Sequence, residues 1–183
     1  MRNSPDGWGS AAKWLHWTVA ALVVAQIPLG FSAVAARMSP LKLDLFVWHK
    51  SIGMVILVLT GFRLAWRFAN PTPAPPAGSA RWERGAARAC HALLYAAIAA
   101  MTISGWIINS SSNVPFRVFW QIPLPPIAAP DEAVARAATL AHHRILALLS
   151  ALLFIHIGAA ARHHLVCRDE VLVRMLPGAR RQT

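Results

Sequence analysis

The chain has 183 residues, of which 56% are hydrophobic and only 14% charged, with a mean hydropathy of +0.46. A water-soluble domain carries about a quarter charged residues, so an ordinary soluble enzyme or binding module is excluded. The net charge of +11 does not read as a nucleic-acid surface, because the basic residues flank apolar blocks instead of forming one stripe, and no nucleic-acid partner is expected.

The apolar residues gather into four blocks, each long enough for the roughly 20 residues that cross a bilayer core about 30 Å thick. Helix one is predicted over 14–36, with no charged residue between Lys13 and Arg37; Gln26 and Pro28 are tolerated where neighbouring helices satisfy the backbone. It is too long for the apolar region of a cleavable leader and is read as a retained span. Helix two is predicted over 45–68 and contains Lys50 and Arg63. A proline-rich linker over 70–78 should be extended. Helix three follows over 89–109, then a polar, proline-rich loop over 110–130, helix four over 137–161 and a basic tail. The expectation is an all-α integral membrane four-helix bundle of up-down topology, one domain spanning 1–183. Cys90 and Cys167 form no metal or redox motif and are read as incidental.

Four spans put both termini on one side, together with the second loop. That side carries 12 of the 18 Lys and Arg residues, Arg180 and Arg181 among them, against 6 on the other, so the termini are expected in the cytoplasm and the protein in a bacterial inner membrane. Trp14, Trp17, Trp48, Trp66, Trp106 and Trp120 fall near span ends and read as interfacial anchors.

Eight histidines remain to be explained, and a ligating residue inside a span is costly and usually functional. His142 and His156 are 14 residues apart on helix four, four turns less about 40°, so both face one way about 21 Å apart. His143 points about 140° away from His156 and fails this test. The same 14-residue step leads from His49 to Arg63, from His16 to Gly30 and from His91 to Gly105. Every helix therefore has a His at one level and a His, Arg or Gly on the same face at the other. That pattern describes two flat macrocycles stacked across the membrane. Glycine lets such a group approach the backbone, and arginine would hydrogen-bond an acidic substituent. His49 and His142 share the periplasmic level; His16, His91 and His156 share the cytoplasmic one, where His156 pairs with either His16 or His91. Two bis-histidine haems are expected, which favours electron transfer over oxygen chemistry at the metal. Without a Cys-x-x-Cys-His they should be b-type. His163 and His164 read as headgroup contacts, Lys50 as a snorkelling side chain or a charge near the periplasmic haem edge with Arg144 and Arg37 in a similar position, and Gly53 as room for that haem or as helix packing.

The chain resembles the prokaryotic cytochrome b561 family of four-helix di-haem proteins, similar in turn to the membrane cytochrome b subunits of nickel–iron hydrogenases and formate dehydrogenases. The resemblance rests on Lys13-Trp14-Leu15-His16-Trp17, on Trp48-His49-Lys50-Ser51-Ile52-Gly53, and on Arg63 to Arg67 followed by Asn70-Pro71. It rests also on His91 with Tyr95, Ser104-Gly105-Trp106, His142 with His156, and the tail from His163-His164 through Asp169 and Leu172 to Arg174-Met175-Leu176-Pro177. It implies that His16 partners His156 and that His91 stands beside the cytoplasmic haem, on a propionate or a quinone. A branch of the family is described as superoxide oxidase, passing electrons from periplasmic superoxide to ubiquinone. On that pattern superoxide and membrane quinone become the expected partners beside membrane lipid. Lys50, Arg144, Arg37, Lys42, Arg117 and Arg136 would attract the anion. The alternative is an electron-transfer subunit docked to a larger dehydrogenase or hydrogenase; short loops without a docking arm disfavour it. A protein partner or homo-oligomer is not indicated. A haem-free transporter is disfavoured too, since no internal repeat or broken helix is evident.

Overall fold

In the computed structural model, which describes residues 2–4, 7–76 and 78–178, four helices dominate. They are α1 (Ser10–Ala35), α2 (Pro40–Ala69), α3 (Arg81–Ser111) and α4 (Glu132–Arg162). All four are long and apolar enough to cross a membrane. Arg180 and Arg181 lie outside the described residues.

The helices begin earlier than apolarity alone predicts: at 40 instead of 45, at 81 instead of 89 and at 132 instead of 137. The extra turns are polar and are set by capping. Ser39 accepts the Lys42 N–H with Pro40 in the first turn, Glu83 accepts the Ala80 N–H at 3.0 Å, and Asp131 accepts the N–H groups of Ala133 and Val134 at 2.7 and 3.0 Å. Each acceptor satisfies a donor that the first helical turn leaves free. Pro28 is accommodated inside α1. The linker over 71–76 has no regular structure, as expected.

α1 pairs closely with α2 and α3 with α4, and the two hairpins meet mainly through α2 and α3. The buried core lies mid-span, built from Val19 and Val23 of α1, Ile56 of α2, Leu94 and Ala97 of α3, and Leu149 and Leu152 of α4. Outward-facing apolar side chains such as Phe31, Phe62, Phe154 and Ile157 are exposed in isolation, Phe154 at 85%. A surface of that kind suits lipid and would aggregate in water.

The α3–α4 loop holds an element that periodicity did not signal, a two-residue antiparallel pair of β1 (Arg117–Val118) and β2 (Ile122–Pro123). Its turn places Phe119 and Trp120 at φ 48° and 63°, conformations that bulky residues seldom adopt. The turn is pinned to α2: Ser51, fully buried, accepts the Phe119 N–H at 2.8 Å, and Trp48 meets both aromatic rings edge-on. At the opposite end α4 runs into a π-helical turn (His163–Cys167). Arg168 closes it at φ 52°, and the chain returns to α1, where Lys13 and Trp17 donate to the carbonyls of Leu176 and Met175, both at 2.9 Å.

Candidate functional site

The 14-residue steps have a midpoint, and the midpoints are the core. Val23 lies seven residues from His16 and Gly30, Ile56 seven from His49 and Arg63, Ile98 seven from His91 and Gly105, and Leu149 seven from His142 and His156. Val23, Ile56 and Leu149 are buried in the central cluster, and Ile98 packs against it. One apolar layer thus separates two polar levels, each roughly 10 Å away along the helix axes.

At the level near the termini, His16, His91 and His156 converge from α1, α3 and α4. The rings of His16 and His156 have centroids 6.2 Å apart, and those of His91 and His156 are 5.3 Å apart. The His16 and His91 rings both stand edge-on to that of His156. Arg63 reaches the same level, donating to the Ala12 carbonyl at 3.0 Å, with Tyr95 as a further side-chain partner.

At the other level stand His49 of α2 and His142 of α4. A Cβ built on Gly30 would stand 2.8 Å from His49 Cε1, and one on Gly105 would stand 3.4 Å from His142 Cε1. The glycines therefore make room for the imidazole rings themselves, where the sequence pattern expected room for a macrocycle. Gly53 lies instead against Gln26, whose amide donates to the His49 carbonyl at 2.7 Å. His49 Nδ1 is buried without a hydrogen-bond partner in the described structure. His142 Nδ1 is 2.9 Å from Ser104 Oγ. At this level the orphaned His49 nitrogen, the one-sided His142 ring and the close approach at Gly30 form a donor set suited to a flat metal macrocycle; at the other, three imidazoles gathered around His156 offer nitrogen donors of the same kind. His143 is exposed, as its helical angle requires.

Lys50 does not snorkel freely. Its ammonium donates to Asn109 Oδ1 at 2.6 Å and stands over the rings of Phe116 and Phe46, 5.5 and 5.9 Å from their centroids. Asn109 in turn donates to the Val114 carbonyl at 2.8 Å, so the charge is held beneath the loop. Arg144 is exposed and lies two residues, about 200°, around α4 from His142. The two cations are not brought together by any contact among the described residues. An open cleft of about 440 Å³ beside the loop is lined by Ser110, Asn113 and 126–130, with no histidine in its lining.

His163 differs from its expected headgroup role: its Nδ1 pairs with Asp169 at 2.5 Å. Burial works against the Asp169 charge, but the Val171 N–H, the His163 ring and the Arg174 guanidinium outweigh it and hold the carboxyl below its ordinary value. His164 is exposed. Sequence reasoning missed Ser104, Gln26 and Asn109 as partners of site residues; polar residues inside apolar blocks were the available signal.

The family model described as prokaryotic cytochrome b561 matches residues 7–178. Cytochrome b561 homolog 2 of Escherichia coli K12 is 30% identical over 181 residues, covering 95% of this chain and 93% of that protein. Cytochrome b561 homolog 1 of the same organism is 25% identical, with 90% and 93% covered. A protein of Yersinia pestis named probable superoxide oxidase CybB is 28% identical over 173 residues, 91% and 93% of the two chains. With four spans, two inward-facing histidine levels and a match over nearly the whole chain, the protein belongs to the prokaryotic cytochrome b561 family, multi-pass membrane electron-transfer proteins that bind b-type haem.

Proposed function

We propose that the protein is a self-contained di-haem oxidoreductase of the bacterial inner membrane, a single domain with both termini cytoplasmic, that takes electrons from periplasmic superoxide and reduces membrane ubiquinone. The overall reaction is two superoxide anions plus one quinone and two protons giving two dioxygen molecules and one quinol. The observation that carries the reading is the pair of histidine levels on either side of one apolar layer. The similarity to a protein named a probable superoxide oxidase, over more than nine-tenths of both chains, supports the choice of donor.

Bound b haem supplies one-electron chemistry at each level. His49 and His142 would hold one group, and His16 and His156 the other, through neutral imidazole nitrogens. Arg63 and His91 stand beside the second pair, where their hydrogen-bond donors suit a propionate or a quinone carbonyl. Lys50 and Arg144 contribute positive potential on the periplasmic side, which raises the local concentration of an anion and its encounter rate. The mid-span layer around Ile56, which is 3% exposed, excludes water between the levels.

The test is haem content per polypeptide by pyridine haemochrome, with superoxide-driven quinone reduction by the purified protein. The wild type should hold two b haems. His49→Ala and His142→Ala should each lose the same one, and His16→Ala and His156→Ala the other. One haem in the wild type, or no quinone reduction by superoxide, would overturn the proposal.

A further inference from the structure

Ser104 of α3 is buried and faces two groups at once. Its Oγ lies 2.9 Å from the Met101 carbonyl of its own helix and 2.9 Å from His142 Nδ1 on α4. A serine hydroxyl has one proton to give. The Met101 carbonyl can take that proton, which leaves an oxygen lone pair free to face His142. With Nε2 as the proposed ligand nitrogen, Nδ1 carries the ring proton, and Ser104 Oγ is placed to accept it. Gly105 lies beside the Cε1 edge of the same ring, so Ser104 and Gly105 together set its orientation.

Among the described residues, the buried Nδ1 of His49 has no hydrogen-bond partner. The two imidazoles of one level are thus chemically unequal. We propose that Ser104 is a positioning residue that makes His142 the stronger electron donor of the pair and so lowers the reduction potential at that level. An imidazole that donates through Nδ1–H gains basicity at Nε2, and a more basic axial ligand favours the ferric state. The inference rests on the proposed assignment of His142 as an axial ligand.

The experiment is a spectroscopic redox titration of the purified holoprotein and of Ser104→Ala, Ser104→Thr and His142→Ala, with haem content measured on each. Outer-shell partners of metal-bound histidines are worth about tenfold or more in ligand strength, and tenfold in ferric preference is about 59 mV for one electron. Ser104→Ala should keep both haems and raise one couple by about that amount, leaving the other unmoved, and Ser104→Thr should restore the wild-type value. If Ser104→Ala loses a haem, the proposal stands only if Ser104→Thr regains it. Two haems with both couples unchanged in Ser104→Ala would overturn the role of Ser104. Two haems retained in His142→Ala would instead overturn the ligand assignment, so the two failures are distinct.

Discussion

Gly30→Ala gives a sharp test of the level formed by His49 and His142. The added methyl carbon would stand 2.8 Å from His49 Cε1, 3.2 Å from Nδ1 and 3.6 Å from Nε2. Relief needs the ring to move by about half an ångström, which costs little if the imidazole is free to swing. It costs much more if the ring is pinned on its other side by a ligand bond. The gain of about 1 kcal/mol in helix propensity from replacing glycine is common to loaded and unloaded protein and cancels from the comparison. Overpacking a fixed side chain costs about 1–3 kcal/mol, and a free energy of that size weakens binding by roughly 5- to 150-fold. Gly105→Ala is the matched control, because its methyl carbon would meet His142 Cε1 at 3.4 Å, at the edge of ordinary contact. Haem retention during dilution into apomyoglobin, followed by absorbance, should show one fast-dissociating haem in Gly30→Ala and none in Gly105→Ala. Equal retention in both variants would refute the claim that the His49 ring is held against α1.

Lys50→Gln should lower the rate of superoxide-driven reduction by roughly 10-fold at low ionic strength, and the difference should shrink as salt rises; a salt-independent loss would mean that Lys50 acts through structure and not through charge. The depressed carboxyl of Asp169 stabilises the C-terminal turn fully at pH values above its ordinary 3.8, and that contribution is lost as pH falls through the lower folded value. Proteolysis of the tail beyond His163 should therefore be slow at pH 6, speed up in strong acid, and be fast at pH 6 in Asp169→Asn; an unchanged Asn variant would remove the turn's dependence on that pair. Insertion of one alanine between Leu149 and Ser150 should turn His156 by about 100° relative to His142 and abolish the level near the termini while sparing the other. Retention of both haems would show that the helix absorbs the extra residue as a π-bulge.

The spans were legible because a bilayer demands long apolar blocks, and the two levels because ligating side chains are rare inside them. The helix ends were less legible, since α2, α3 and α4 begin in polar sequence that apolarity cannot register. Ser39, Glu83 and Asp131 carry the capping signal there. The hairpin at 117–123 gave no signal at all: its turn puts Phe119 and Trp120 at positive φ, where glycine or asparagine would have announced it, and packing on Trp48 and the Ser51 hydroxyl replaces local preference. The glycines were found for a reason that the structure altered. Spacing marks Gly30 and Gly105 as places of close approach, but only coordinates show that the approaching atoms belong to His49 and His142. Lys50 was read as reaching for the surface, yet a neutral acceptor on α3, Asn109, holds it below the loop.

The step of 14 residues works on all four helices for a common reason. Fourteen residues of a straight helix fall about 40° short of four turns, so a strict repeat would drift off its face. Two heptads wound into a left-handed bundle lose that drift, because helices crossing at about +20° keep a seven-residue stripe directed inward. His16, Val23 and Gly30 are then one stripe on α1, as are His49, Ile56 and Arg63 on α2, His91, Ile98 and Gly105 on α3, and His142, Leu149 and His156 on α4. Each stripe reads polar or small, then apolar, then polar or small. The same heptad that packs the helices also fixes the separation of the two levels at about 21 Å. Packing and site geometry are therefore not independent. A change in the register of one helix would shift a histidine and a core residue together, which is why the apolar layer falls midway between the levels.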